Sequence, residues 1–177
     1  MCQSNRMKNL GIQGIHGLLD GIGRGRMNRI VFGKLGINID LLAGILELVK
    51  REGIRTGVIL GAVGALKKAT FRNVKTMPPG FRVEDRHRLY LELEQPMEIV
   101  SLTGWIATKK DGEAEIHAHF SASTVMDGKV VTLGGHLTSG TLTSIKVAVV
   151  IGAIEDTEIE AAMDSNINQI DLKLPRI

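Results

Sequence analysis

Cysteine is almost missing from this sequence. Cys2 is the only one, so no intrachain disulfide can staple the fold and no thiolate knuckle can hold a metal. Aromatic side chains make up 3% of the chain, too few for a base-stacking surface of the kind single-strand and RNA binders use. The core must therefore be built from Ile, Leu, Val, Ala and Met. Long hydrophobic runs are missing as well. The longest, Val147 to Ile154, falls far short of the roughly 20 residues that span a bilayer. Near the N-terminus, Gln13, His16 and Asp20 interrupt the apolar residues, so no secretory signal is formed. With no membrane segment and no disulfide chemistry, a reducing, cytoplasmic setting is the expectation.

What is present suits one domain: 177 residues, 44% of them apolar, are enough for a real core. The charge is unevenly placed. Residues 1–34 carry six basic side chains (Arg6, Lys8, Arg24, Arg26, Arg29, Lys34) against Asp20 alone, whereas the rest holds 16 basic and 18 acidic groups. Bulk charge thus argues against a basic nucleic-acid binder. DNA affinity would have to come from the N-terminal leader or from the cluster Lys67, Lys68, Arg72, Lys75, Arg82, Arg86, Arg88.

Residues 1–27 contain six glycines and no clean period, and read as a leader outside the core. A body over 28–174 follows. Arg29-Ile30-Val31-Phe32 suggests a first strand. Asn38 or Asp40 can cap a helix over about 40–52, whose Leu41, Leu42, Ile45, Leu46 and Val49 form one stripe; Lys50 and Arg51 suit its C-terminal dipole and Gly53 its end. Strand-like runs follow at 57–62, 65–74, 88–94, 97–108, 115–124, 129–133, 144–154 and near 170–174. Asp111-Gly112 and Asp127-Gly128 are hairpin-turn pairs. Early helix and later hairpins together predict an α+β fold: a mainly antiparallel sheet with flanking helices.

The segment with the most chemistry is Glu115-Ile116-His117-Ala118-His119-Phe120-Ser121-Ala122. Strict alternation reads as a half-buried strand with Ile116, Ala118, Phe120 and Ala122 packed, so His117 and His119 share the other face with Glu115 and Ser121. His136 follows Gly134-Gly135, a pair that lets the backbone run close beside the strand. Three neutral imidazoles without cysteine suit Zn²⁺ or another borderline divalent first-row metal and leave one coordination position open. Two exposed histidines on a wet sheet and a third in a turn are the plainer alternative.

Other patterns are weaker. Gly61-Ala62-Val63-Gly64-Ala65-Leu66 lacks the Lys-Ser/Thr ending of a phosphate loop and reads as a glycine-rich strand turn. Arg24-Gly25-Arg26 is the core of a minor-groove hook without its stiffening prolines. It also reads as a translated ribosome-binding site ahead of a native start at Met27, with Met1 and Met7 as alternative starts. Ser121, Ser123, Ser139 and Ser144 lie near the histidines without a nucleophile elbow.

Val63-Gly64-Ala65-Leu66, Glu98-Ile99-Val100-Ser101-Leu102-Thr103-Gly104, Ile116-His117-Ala118-His119 and Gly134-Gly135-His136-Leu137, in that order, resemble the PPC domain shared by plants and prokaryotes. The resemblance covers about 28–174. It implies an α/β module with a mainly antiparallel sheet, assembled as a homotrimer. It also implies a metal held through histidines of the H-x-H and G-G-H segments, here His117, His119 and His136. Plant members carry the module downstream of AT-hooks and contact partner proteins through a Gly-Arg-Phe-Glu-Ile-Leu segment, of which Glu98 and Ile99 are kept here. The expected function is a homotrimeric PPC-domain protein with a three-histidine metal or small-ligand site and a binding or regulatory role. The alternatives are a DNA-associated protein using Arg24 and Arg26, and a metal-dependent hydrolase or lyase with Glu115 or Glu98 as its acid–base group.

Overall fold

The computed structural model describes residues 21–175. Nine strands alternate with few other elements: β1 (Arg26–Leu35), α1 (Leu41–Arg51), β2 (Gly57–Val74), β3 (Arg88–Leu93), β4 (Met97–Thr108), β5 (Ala114–Met126), β6 (Lys129–Leu137), β7 (Leu142–Glu155), β8 (Glu160–Asp164) and β9 (Gln169–Lys173). The first seven form one sheet in the order β1-β7-β2-β4-β5-β6, with β3 beside β2; β8 and β9 make a separate hairpin. Every pairing is antiparallel.

The helix forms where its cap and stripe place it. Asp40 is the N-cap: one carboxylate oxygen accepts from the Ala43 N–H at 3.0 Å and the other from the Gly140 N–H at 2.7 Å. Leu41, Ile45 and Val49 then pack on a core that includes Ile59, Leu66, Ile106, Val147, Val149 and Ile151. This is the one α-helix among the described residues, where the sequence reading expected flanking helices. Elsewhere the apolar residues repeat every second position, which buries one face of a strand and cannot make a helical stripe.

The largest departure from expectation is β2. Gly61 to Gly64 is no turn; the strand continues through it for 18 residues, with register shifts at Ile59/Gly61 and Gly64/Leu66. Gly64 takes φ +151°, and a Cβ there would lie 2.7 Å from Val147 Cα. These are bulges, which bend and twist a strand instead of ending it. The proximal half of β2 pairs with β7 and β4, and its distal half with β3 and, through Phe71↔Leu137 and Arg72↔His136, with β6. The return of β6 to β2 closes β2-β4-β5-β6 on itself. Inside that closure Phe71 and Phe120 stack with centroids 4.8 Å apart.

The sequence reading missed β8, and it ended β6 at Leu133, four residues early. Residues 21–25, inside the expected leader, run beside the C-terminal segment; the Ile22 N–H donates to the Pro175 carbonyl at 3.2 Å. Residues 1–20 lie outside the described residues.

Candidate metal centre

β5 keeps the alternation read from its sequence. Ile116, Ala118, Phe120 and Ala122 are buried, while His117 is half-buried and His119 exposed on the opposite face. The two-residue turn at Asp127-Gly128 sets β6 back against β5 so that His136 stands directly opposite His119. Gly134 and Gly135 therefore lie inside a strand, not at a turn. At Gly135 a side chain would meet the Arg72 carbonyl at 2.9 Å, so glycine is what lets β6 approach β2.

The three imidazoles converge. Their candidate ligand nitrogens all lie within 4.8 Å of one another, and Nε2 of His117 is 3.2 Å from Nε2 of His119. Zn–N bonds of about 2.0–2.1 Å in a tetrahedron put neighbouring nitrogens roughly 3.3 Å apart. The His117–His119 edge already has that length, and no pair of the three is farther apart than 4.8 Å. The His136 ring stands edge-on to both others, at centroid distances of 4.6 and 5.1 Å. The residues fit the ion that the resemblance implies.

Electrostatics keep the lone pairs free. Burial first, then the Arg72 charge, then His117 and His119 hold the His136 pKa down to about 3 from an ordinary 6.5. His117 is also lowered, by burial and then by His119, with Asp171 pulling the other way. Both are neutral near pH 7, as metal ligands must be.

Three neighbours of the site were not tied to it by sequence. Trp105 lies opposite His117 in register, ring centroids 5.4 Å apart. Arg72 lies opposite His136. Asp171, on the β8–β9 hairpin, is the acid whose charge His117 feels. Trp105 and Arg72 depend on strand register and Asp171 on the packing of a separate hairpin, whereas only Asp127-Gly128 is a two-residue turn that sets register by itself, for the β5–β6 pair.

Residues 23–155 match the family described as the Plants and Prokaryotes Conserved (PCC) domain. The chain belongs to this family. Among solved structures, the PCC fold here is similar to a metal-containing protein from Archaeoglobus fulgidus, at 24% identity and TM-score 0.69 over 86% of this chain and 98% of that one. It is also similar to a plant- and prokaryote-conserved (PPC) protein from Pyrococcus horikoshii, at 22% identity and TM-score 0.64 over 85% and 97%. A candidate DNA-binding protein from Bacteroides thetaiotaomicron follows at 17% identity and TM-score 0.65 over 86% and 97%. No curated protein matches the chain.

The other residues singled out in the PCC sequence lie apart from the histidines. Glu98 is exposed on β4 opposite Ser123, four strand positions or roughly 13 Å from His119, and Ile99 beside it packs against the core. Glu115 pairs with Ala107 and does not join the cluster. The Ser121 and Ser101 hydroxyls share a hydrogen bond at 2.8 Å. Arg24 is exposed just before β1, whereas Arg26 begins that strand and pairs with Asp156 at 3.2 Å.

Proposed function

We propose that this PCC-domain protein holds one divalent ion, Zn²⁺ by the chemistry of its donors, on His117, His119 and His136, and serves a binding or regulatory role as a homotrimer. The observation that carries the reading is the convergence of three imidazoles from two paired strands, with no carboxylate in the cluster. When bound, the ion would supply a Lewis-acid position facing solvent. The protein contributes strand-fixed imidazoles and a dry inner face behind them. Elemental analysis after metal-supplemented growth should find about one divalent ion per chain; a parent protein that takes up none would sink the assignment.

The outer face of the sheet supports assembly. Ile30, Gly152, Val58, Trp105 and His117 make one register row across five strands. On the same strands Phe32 is 76% exposed and Val63, farther along β2, 77%. Contiguous apolar surface next to an edge strand is what oligomers cover, and a three-fold ring lets each copy cover its neighbour. Light scattering at micromolar concentration should give about three times the 19.2 kDa chain mass. A monomer would refute this part.

A DNA-associated role is the second reading, favoured by the exposed Arg24 and by the likeness to the Bacteroides protein. Three hooks in a trimer would act together through effective concentration. Duplex binding should then weaken steeply with salt and vanish for a chain beginning at Met27; equal binding by both chains would exclude the hook.

A further inference from the structure

We propose that the three-histidine centre is one half of a site for a small oxyanion, a carboxylate or phosphate, and that the Arg72 guanidinium is the other half. This rests on the metal reading above and names what occupies the open position.

Placement comes first. Arg72 and His136 are direct partners across the β2–β6 pairing, which sets their Cβ atoms about 4.5–5.5 Å apart. Phe71 and Leu137, the adjacent pair, are buried inward, so Arg72 and His136 share the outer face. Arg72 therefore borders the ligand cluster on the side away from Trp105.

Charge comes second. Arg72 is partly buried beside the like charge of Arg88, with Tyr90 as a hydrogen-bonding neighbour and Asp85 as the nearby acid. Yet Asp85 is already engaged: its Oδ1 takes the Arg88 guanidinium at 3.1 Å and the Tyr90 hydroxyl at 3.1 Å. Among the described residues Arg72 has no ion pair of its own. A partly buried guanidinium without an ion-pair partner has donors left for an anion.

The ligand set makes the same demand. Three neutral imidazoles leave the full double charge on a bound ion; no Asp or Glu joins the cluster, and Asp171 acts on His117 only through its charge from the β8–β9 hairpin. Ion and guanidinium side by side then form a two-point receptor. One oxygen would go to the metal and the others to the N–H fork, whose planar geometry matches carboxylate and phosphate.

Cobalt makes the test optical. Full-length protein loaded with Co²⁺ is titrated with acetate, bicarbonate or inorganic phosphate while the visible absorption of the ion is followed. A saturable spectral change is expected with at least one of them, and the anion that works distinguishes planar from tetrahedral occupants. R72Q should raise that anion's dissociation constant by at least about tenfold. It should bind cobalt as well as the parent or more tightly, because a repelling charge is gone. R72K keeps charge and stem but loses the fork, so it should fall between, and it carries the test if R72Q does not fold. Equal anion affinity in parent and both variants would overturn the proposal. So would a parent that binds cobalt but shows no anion response; a parent that binds no cobalt overturns the metal reading with it.

Discussion

Phe120→Ala should destabilise the protein by about 3–5 kcal/mol, the usual cost of emptying an aromatic site in a packed core. Phe120 is 3% exposed, and its ring stacks on Phe71 with an interplanar angle of 12°. The stack lies at the closure of the sheet, where β5 and the distal half of β2 face each other under β6. It is also the underside of the candidate metal centre, because His119 follows Ala118 and precedes Phe120, and Arg72 follows Phe71. A cavity here lets β5 and β2 shift, so metal affinity should fall together with stability, although no ligand has been touched. Urea unfolding at fixed protein concentration reads the first effect as a lower midpoint with an unchanged slope. Val125→Ala, on the exposed end of the same strand, should change stability by no more than about 0.5 kcal/mol. A loss of under about 1 kcal/mol in Phe120→Ala would mean that the aromatic pair does not hold the closure.

The parts of this fold that could be read from sequence are those fixed by local rules. Asp40 and the stripe Leu41, Ile45, Val49 define a helix without reference to anything distant. The alternation of 116–122 settles which side of β5 is wet, and hence that His117 and His119 point the same way. Asp127-Gly128 fixes the β5–β6 register and so the pairing of His119 with His136. What stayed hidden depends on contacts far apart in sequence. Gly61 and Gly64 look like turn residues because glycine serves turns and bulges equally; only the approach of Val147 decides for a bulge. Because that bulged strand continues, its distal end reaches β6, and Arg72 arrives beside His136 across 64 positions of sequence. The sequence reading placed Arg72 in a basic cluster with Arg86 and Arg88, correct in charge but silent about the histidines. β8 was lost among acidic residues, since Glu158 and Glu160 suggested a solvated surface and masked the alternating Ile159, Ala161 and Met163.

The largest effect expected of a single change is loss of metal in His119→Ala. Removing an outer partner of a ligand typically costs about 10–100-fold in metal affinity, so deleting a ligand itself should cost more than about 100-fold. His119 is exposed, and its strand is anchored through the opposite face, so the variant should stay folded and report on the ion alone. His87→Ala is the control: that imidazole accepts from the Glu84 N–H at 3.0 Å in a separate turn, and its loss should leave metal content unchanged. The pH response follows from the sign of the shifts. Protons compete with the metal for each imidazole, and ordinary imidazoles begin to lose this contest as pH falls through about 6.5. His136 does not take a proton until about pH 3, and His117 is displaced in the same direction. At pH 6 three ordinary imidazoles would release about 2.3 protons per ion, whereas this centre should release markedly fewer, and its affinity should fall less steeply with acid. Trp105, the only tryptophan, lies 5.4 Å from His117 and supplies the readout. Co²⁺ or Cu²⁺ should quench its fluorescence in the parent at both pH 7.5 and pH 6, and should fail to do so at matched concentrations in His119→Ala. Equal quenching in the two proteins would place the ion elsewhere, and a parent that loses its ion completely by pH 6 would contradict the neutral, partly buried state of His117 and His136.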